Sequence, residues 1–157
     1  MIEMKVLGLA LDSDTQAPVL ILKDVDDRAT LTIWIGAMEA MAISLTLNNV
    51  KLPRPMTHDL LLSAIQKMGG TVCAASVTQL KEGAYHALIS VEKEGALIEI
   101  DSRPSDAVAL ALRAGAPILV APAVLGAPAK RPAPTTSEDN WADILDKFAP
   151  DQTKYKM

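Results

Sequence analysis

The chain has one cysteine, Cys73, and only five aromatic residues among its 157 positions. A lone cysteine cannot pair within the chain, so no disulfide framework holds it together. Cys73 stands among small apolar residues on an expected strand, where a buried structural thiol fits better than a nucleophile. With so few aromatics, there is little to stack single-stranded bases on. Long apolar runs are missing as well. The longest, residues 114–129, is too short to span a bilayer and contains Pro117, Pro122 and Pro128. Glu3 and Lys5 interrupt the N-terminus where a secretory signal would need apolar residues. There is no GxGxxG, no GxSxG, no Gly-rich phosphate loop with a lysine, and no Cys/His spacing of a zinc site. Positive charge is scarce too: 15 Lys and Arg against 19 Asp and Glu give a net charge of −4. That balance argues against a broad basic surface for nucleic acid. The expectation is a soluble cytoplasmic protein with no membrane contact.

Half of the residues are apolar, enough to bury a core and to exclude disorder over most of the chain. Alternation and β-branched runs predict strands over residues 2–11, 18–22 and 29–35, joined by short polar links as an antiparallel meander. At Gly36 the period becomes helical. The next segment, from Ala37 to Leu47, is apolar nearly all round and should be buried. Thr57 is expected to cap a second helix that closes at Gly69-Gly70. Three more strands are expected over 71–80, 84–92 and 96–100, with hairpin turns at Lys81-Glu82-Gly83 and Lys93-Glu94-Gly95. A third helix spans 104–113, and a short strand at 117–120 and a helical turn at 123–125 follow. The expected fold class is α+β, a mixed or antiparallel sheet with helices packed on it.

Composition shifts after Leu125. Residues 1–126 form the expected domain, and the Pro/Ala-rich residues 127–137 read as a linker. Beyond it, residues 138–157 place Trp141, Ile144, Leu145 and Phe148 at helical spacing, with Asp143 and Asp146 between them. An amphipathic helix over 138–149 is too short to fold alone. It is expected to dock on its own domain, on a sister subunit or on a protein partner.

Two segments echo one another. Ile35-Gly36 followed by Glu39-Ala40-Met41-Ala42-Ile43-Ser44-Leu45 parallels Ile100-Asp101 followed by Asp106-Ala107-Val108-Ala109-Leu110-Ala111-Leu112. Each follows three expected strands, which suggests a duplicated β-β-β-α unit; two alanine-rich buried helices are the plainer explanation.

Chemistry-bearing residues gather in two motifs, Arg54-Pro55-Met56-Thr57-His58-Asp59 and Asp101-Ser102-Arg103-Pro104-Ser105-Asp106. Each sets an arginine, a proline, a hydroxyl and an aspartate where a helix begins. One reading is a stiff helix start, since proline suits the first turn and short polar side chains accept orphan N–H groups. A second is an anion site in which Arg54 and Arg103 hold phosphate. Asp101 and Asp106, with Glu39 or Asp59, would then hold a divalent cation such as Mg2+ or Mn2+ through oxygen ligands. Joined, these sites would supply metal-assisted phosphodiester cleavage, with His58 moving a proton.

At these motifs the sequence resembles the bifunctional nuclease domain family. The resemblance rests on Trp34-Ile35-Gly36, Glu39-Ala40, Ala42-Ile43, Arg54-Pro55, Thr57-His58-Asp59 and the block from Ile100 to Ala107. It ends with Ala109-Leu110-Ala111-Leu112-Arg113 and covers roughly residues 2–125. Val108 stands where isoleucine is commoner in the family. The resemblance implies an α+β domain, a homodimer, and a nuclease acting on RNA and DNA. It implies no catalytic set, so the site residues above are inferred from placement alone. A non-enzymatic dimeric binding module for a protein or a small anionic ligand is the competing expectation.

Overall fold

A computed structural model describes residues 1–127 of the chain. All but the first residue of the expected linker, and the whole 138–157 segment, lie outside the described residues. Seven strands form one open mixed sheet, and three helices make a single layer packed on one face of it. In chain order these are β1 (Ile2–Leu11), β2 (Pro18–Asp24), β3 (Thr30–Trp34), α1 (Ala37–Leu47), α2 (Thr57–Lys67), β4 (Thr71–Lys81), β5 (Ala84–Lys93), β6 (Ala96–Ser102), α3 (Pro104–Ala114) and β7 (Ile118–Val120). A 3-10 turn, Pro122–Val124, follows β7.

The strand order is β3-β2-β1-β7-β4-β5-β6. Each set of three strands is an antiparallel meander followed by a helix, and the two meanders run outward from β7 in opposite directions. The three-residue β7 is antiparallel to β1 and parallel to β4, and it alone joins the halves of the sheet. The β-β-β-α order anticipated from the sequence echo therefore occurs twice. Between the copies lies α2, which has no counterpart.

The core lies between the sheet and the helices. Leu20, Leu22, Ile43, Val77, Val108, Leu110 and Val120 are fully buried there. Alternate residues of β5, Ala87, Ile89 and Val91, point into this layer as strand pleating requires. Alanines at 40, 107, 109 and 111 are essentially inaccessible, and their small side chains let α1 and α3 pack closely. Gly115 ends α3 in the left-handed conformation that favours glycine.

Cys73, expected to be buried, is exposed on β4, and two further details differ from the expectations. The N-cap of α2 is Met56, with Thr57 already inside the helix. The Asp59 carboxylate reaches back to accept from the Met56 backbone N–H at 2.9 Å, so the third helical residue does the capping that Thr57 was expected to do. The other is β6, which continues to Ser102, two residues past the expected end at Ile100, and brings Asp101 into the strand.

Candidate functional site

A cleft of about 870 Å³ opens between α1, the first turn of α2, the outer strands β5 and β6, and the start of α3. Its floor is apolar, including Met38, Met41, Leu61, Ile89 and Ile100. Along one wall runs a continuous chain of polar contacts. His58 Nε2 lies 2.9 Å from Asp106 Oδ1, and Arg103 Nε donates to Asp106 Oδ2 at 2.8 Å. Arg103 Nη1 then donates to Glu39 Oε1 at 3.0 Å.

The fold brings these four residues together from three helices. Glu39 sits in the first turn of α1 and Asp106 in the first turn of α3, the two equivalent positions of the sequence echo. Arg103, the N-cap residue of α3, is held by both carboxylates. His58 comes from the first turn of α2. Gly36 makes the Glu39 placement possible: a Cβ at position 36 would run into the Glu39 carboxylate.

Burial pushes the Asp106 carboxyl up, but hydrogen bonds from Arg103 and His58 outweigh it and hold the group below the ordinary carboxylate range. The bonds to Asp106 and Glu39 in turn raise Arg103. Arg103 keeps 63% of its side chain exposed and has unused guanidinium donors, so it can meet an anion in the cleft. His58 is largely buried, with Nε2 committed to Asp106, which leaves Nδ1 as the ring nitrogen for a ligand.

The remaining candidates fall elsewhere. Asp59 accepts from Arg113 Nε at 2.8 Å as well as from the Met56 N–H, and faces a second cleft that Arg54 also lines. Burial raises the Asp59 carboxyl, and those two donors outweigh it and bring the group below its ordinary value. Asp101 lines the main cleft, yet it is paired across β6–β5 with Leu88, whereas its neighbour Ile100 is paired with the buried Ile89. Alternation therefore turns the Asp101 side chain to the face of the sheet away from the helices. His86 lines the same cleft and also alternates to that face.

Asp101 thus shares the cleft with Asp106 but alternates to the other face of β6, and Arg54 lines a different cleft from Arg103. Three of the carboxylates expected to bind Mg2+ or Mn2+ are engaged with arginines, Asp106 and Glu39 with Arg103 and Asp59 with Arg113, and Asp101 lies on the other face of β6. Among the described residues no group of three or more His, Cys, Asp or Glu side chains is arranged to hold a metal ion. This donor set does not fit a resident cation.

Arg113 was not among the expected site residues. Besides bonding Asp59 of α2, it donates through Nη1 to the Ala109 carbonyl of α3 and through Nη2 to the Ala42 carbonyl of α1. One guanidinium with a side chain only 8% exposed thereby ties all three helices together. Its position in the last turn of α3 favours a cation but does not reveal these partners.

The chain belongs to the bifunctional nuclease domain family, whose profile matches residues 20–132. It is 39% identical over 123 residues to the uncharacterised protein Rv1829 of Mycobacterium tuberculosis (strain ATCC 25618 / H37Rv), covering 78% of this chain and 73% of that one. It is 31% identical over 121 residues to bifunctional nuclease 1 of Oryza sativa subsp. japonica, covering 74% of this chain and 36% of the rice protein. The figures for bifunctional nuclease 1 of Arabidopsis thaliana are 31% over 107 residues, 66% and 33%. The chain thus spans about a third of the length of its plant relatives. No helix among the described residues is long and apolar enough to cross a membrane.

Proposed function

We propose that this chain is a nuclease that hydrolyses phosphodiester bonds of RNA or DNA in the His58 cleft, with RNA the better-matched substrate. The observation that carries the proposal is the chain His58–Asp106–Arg103–Glu39 along the wall of an open cleft. The names of the plant relatives support the reaction class. Asp106 accepts from the imidazole Nε2–H and orients the ring so that Nδ1 faces the substrate, while Arg103 offers its free donors to a phosphate. RNA suits these groups because its 2′-hydroxyl is a nucleophile within the substrate. His58 Nδ1 takes the 2′-hydroxyl proton as that oxygen bonds to phosphorus. The P–O5′ bond breaks, and the leaving oxygen takes a proton from water, giving a 2′,3′-cyclic phosphate and a 5′-hydroxyl. The route passes through no metal ion.

Highly purified full chain, incubated with RNA and single-stranded DNA of one sequence with and without EDTA, tests this. Cleavage of RNA in EDTA, cyclic phosphate ends by mass spectrometry and loss of both in His58→Ala are expected. No cleavage of either substrate, or full activity in His58→Ala, would overturn it.

A second reading, a dimeric binding module, is favoured by one observation. Among the described residues the outer side of β6 is unpaired at the sheet edge, and Leu97, Ile98 and Ile100 there are 63%, 44% and 41% exposed. Open apolar edges invite another strand. A second copy of this chain is the proposed occupant, and the homodimer is compatible with either function.

A further inference from the structure

The second cleft lies across the first turn of α2 from the His58 site, with Met56 lining both. It measures about 330 Å³, and its charged lining residues are Lys51, Arg54, Asp59 and Arg113. Asp59 and Arg113 neutralise each other at 2.8 Å. Lys51 and Arg54 are exposed, and neither has an ion-pair partner among the described residues. The cleft therefore carries two uncommitted cations on a domain where acids outnumber bases 14 to 10 over residues 1–126. Arg54 is also held on a stiff segment, because Pro53 and Pro55 flank it and fix the backbone on either side. A preorganised guanidinium beside an ammonium, over a concave surface, is matched to phosphate oxygens.

We propose that Lys51 and Arg54 form a phosphate subsite that holds a polynucleotide strand a few nucleotides from the His58 cleft. The choice of polynucleotide rests on the nuclease reading above; the anion chemistry of the subsite does not. Chain connectivity keeps Arg54 and His58 within about 14 Å. A dinucleotide has a single internucleotide phosphate, which the His58 cleft itself would hold, whereas a 12-mer is long enough to place further phosphates on the subsite.

The test is binding of a cleavage-resistant phosphorothioate 12-mer and a dinucleotide to the full chain across a salt series. Lys51→Ala/Arg54→Ala is expected to weaken the 12-mer about tenfold at low salt. The slope of log affinity against log salt should flatten by about 0.7 for each phosphate that the variant no longer neutralises. Dinucleotide binding should be unchanged, and Lys51→Arg/Arg54→Lys should keep the original slope, which separates lost charge from misfolding. An unchanged slope, or equal losses for both ligands, would overturn the subsite. Inorganic phosphate displacing the 12-mer at micromolar concentration would also overturn it, by reassigning the pocket to a free anion. A flattened slope in a chain that cleaves nothing would keep the subsite and sink the nuclease. Cleavage with an unaltered slope would do the opposite.

Discussion

His58 and Asp59 are adjacent in the chain yet bond to opposite ends of the same helix. His58 meets Asp106 in the first turn of α3 at 2.9 Å, and Asp59 meets Arg113 in its last turn at 2.8 Å. The first turn of α2 therefore has two sides, one turned to the proposed chemistry and one that holds the helices together.

Substitutions on the two sides should separate cleanly. Arg113→Ala removes charged hydrogen bonds to three helices and leaves the Asp59 carboxylate without its cation, a loss of about 2–3 kcal/mol. In a domain of this size that lowers the melting temperature by about 6–12 °C. His58→Ala should lower RNA cleavage by at least about 100-fold with a much smaller thermal shift. Calorimetry and cleavage assays on both variants check this.

Gly36→Ala tests how Glu39 is positioned. The added methyl collides with the flexible end of the Glu39 side chain and not with backbone, so the fold should survive. Glu39 must swing away and release one side of Arg103. The expected result is a near-native melting curve with reduced cleavage and a raised KM for RNA. A native KM would disconnect Glu39 from substrate binding.

Acid sensitivity follows from Asp59 and Asp106. Both carboxyls are depressed in the folded chain, so the unfolded chain takes up protons first as pH falls. Their contribution to stability is complete above the unfolded value of about 3.9 and disappears as pH drops through the lower folded values. Thermal unfolding between pH 2 and pH 6 should show a steep acid limb. The limb should be shallower in Asp59→Asn/Asp106→Asn, and identical limbs would contradict the assignment.

The edge of β6 can be probed by charge. Ile98→Lys, on an exposed position of the edge strand, should turn a dimer into a monomer in light scattering without lowering thermal stability. A wild-type chain already monomeric at high concentration would remove the second copy from this surface.

Much of the fold was legible because its elements are periodic. The alternation of β5 and the near-uniform apolarity of α1 mark their type and their burial, and the Glu-Gly pairs mark both hairpins. Residues 82 and 83, like 94 and 95, have positive φ in the structure, as a tight two-residue turn requires. The helix capping by Asp59 was missed because Thr57 is the better cap in isolation, and only the reach of the N3 carboxylate decides between them.

The site was legible in composition but not in pairing. Arg103, Asp106, Glu39 and His58 were all recognisable as polar residues at helix starts, yet their contacts depend on how α2 crosses α3. Asp101 is different, because a signal was present. Ile98 and Ile100 share one face of a strand, so strict alternation already turns Asp101 to the other face once β6 is extended past Ile100. The helix-start motif hid that alternation.

The placement of β7 bears on how the chain is made. The last strand among the described residues is the central strand of the sheet, and within the sheet its three residues alone join the two meanders. Until Ile118 to Val120 are made, the inner sides of β1 and β4 have no strand between them, and only the helix layer can hold the halves together. A chain halted after α3 would hold every residue of the His58 cleft and still lack the seam that fixes one half against the other.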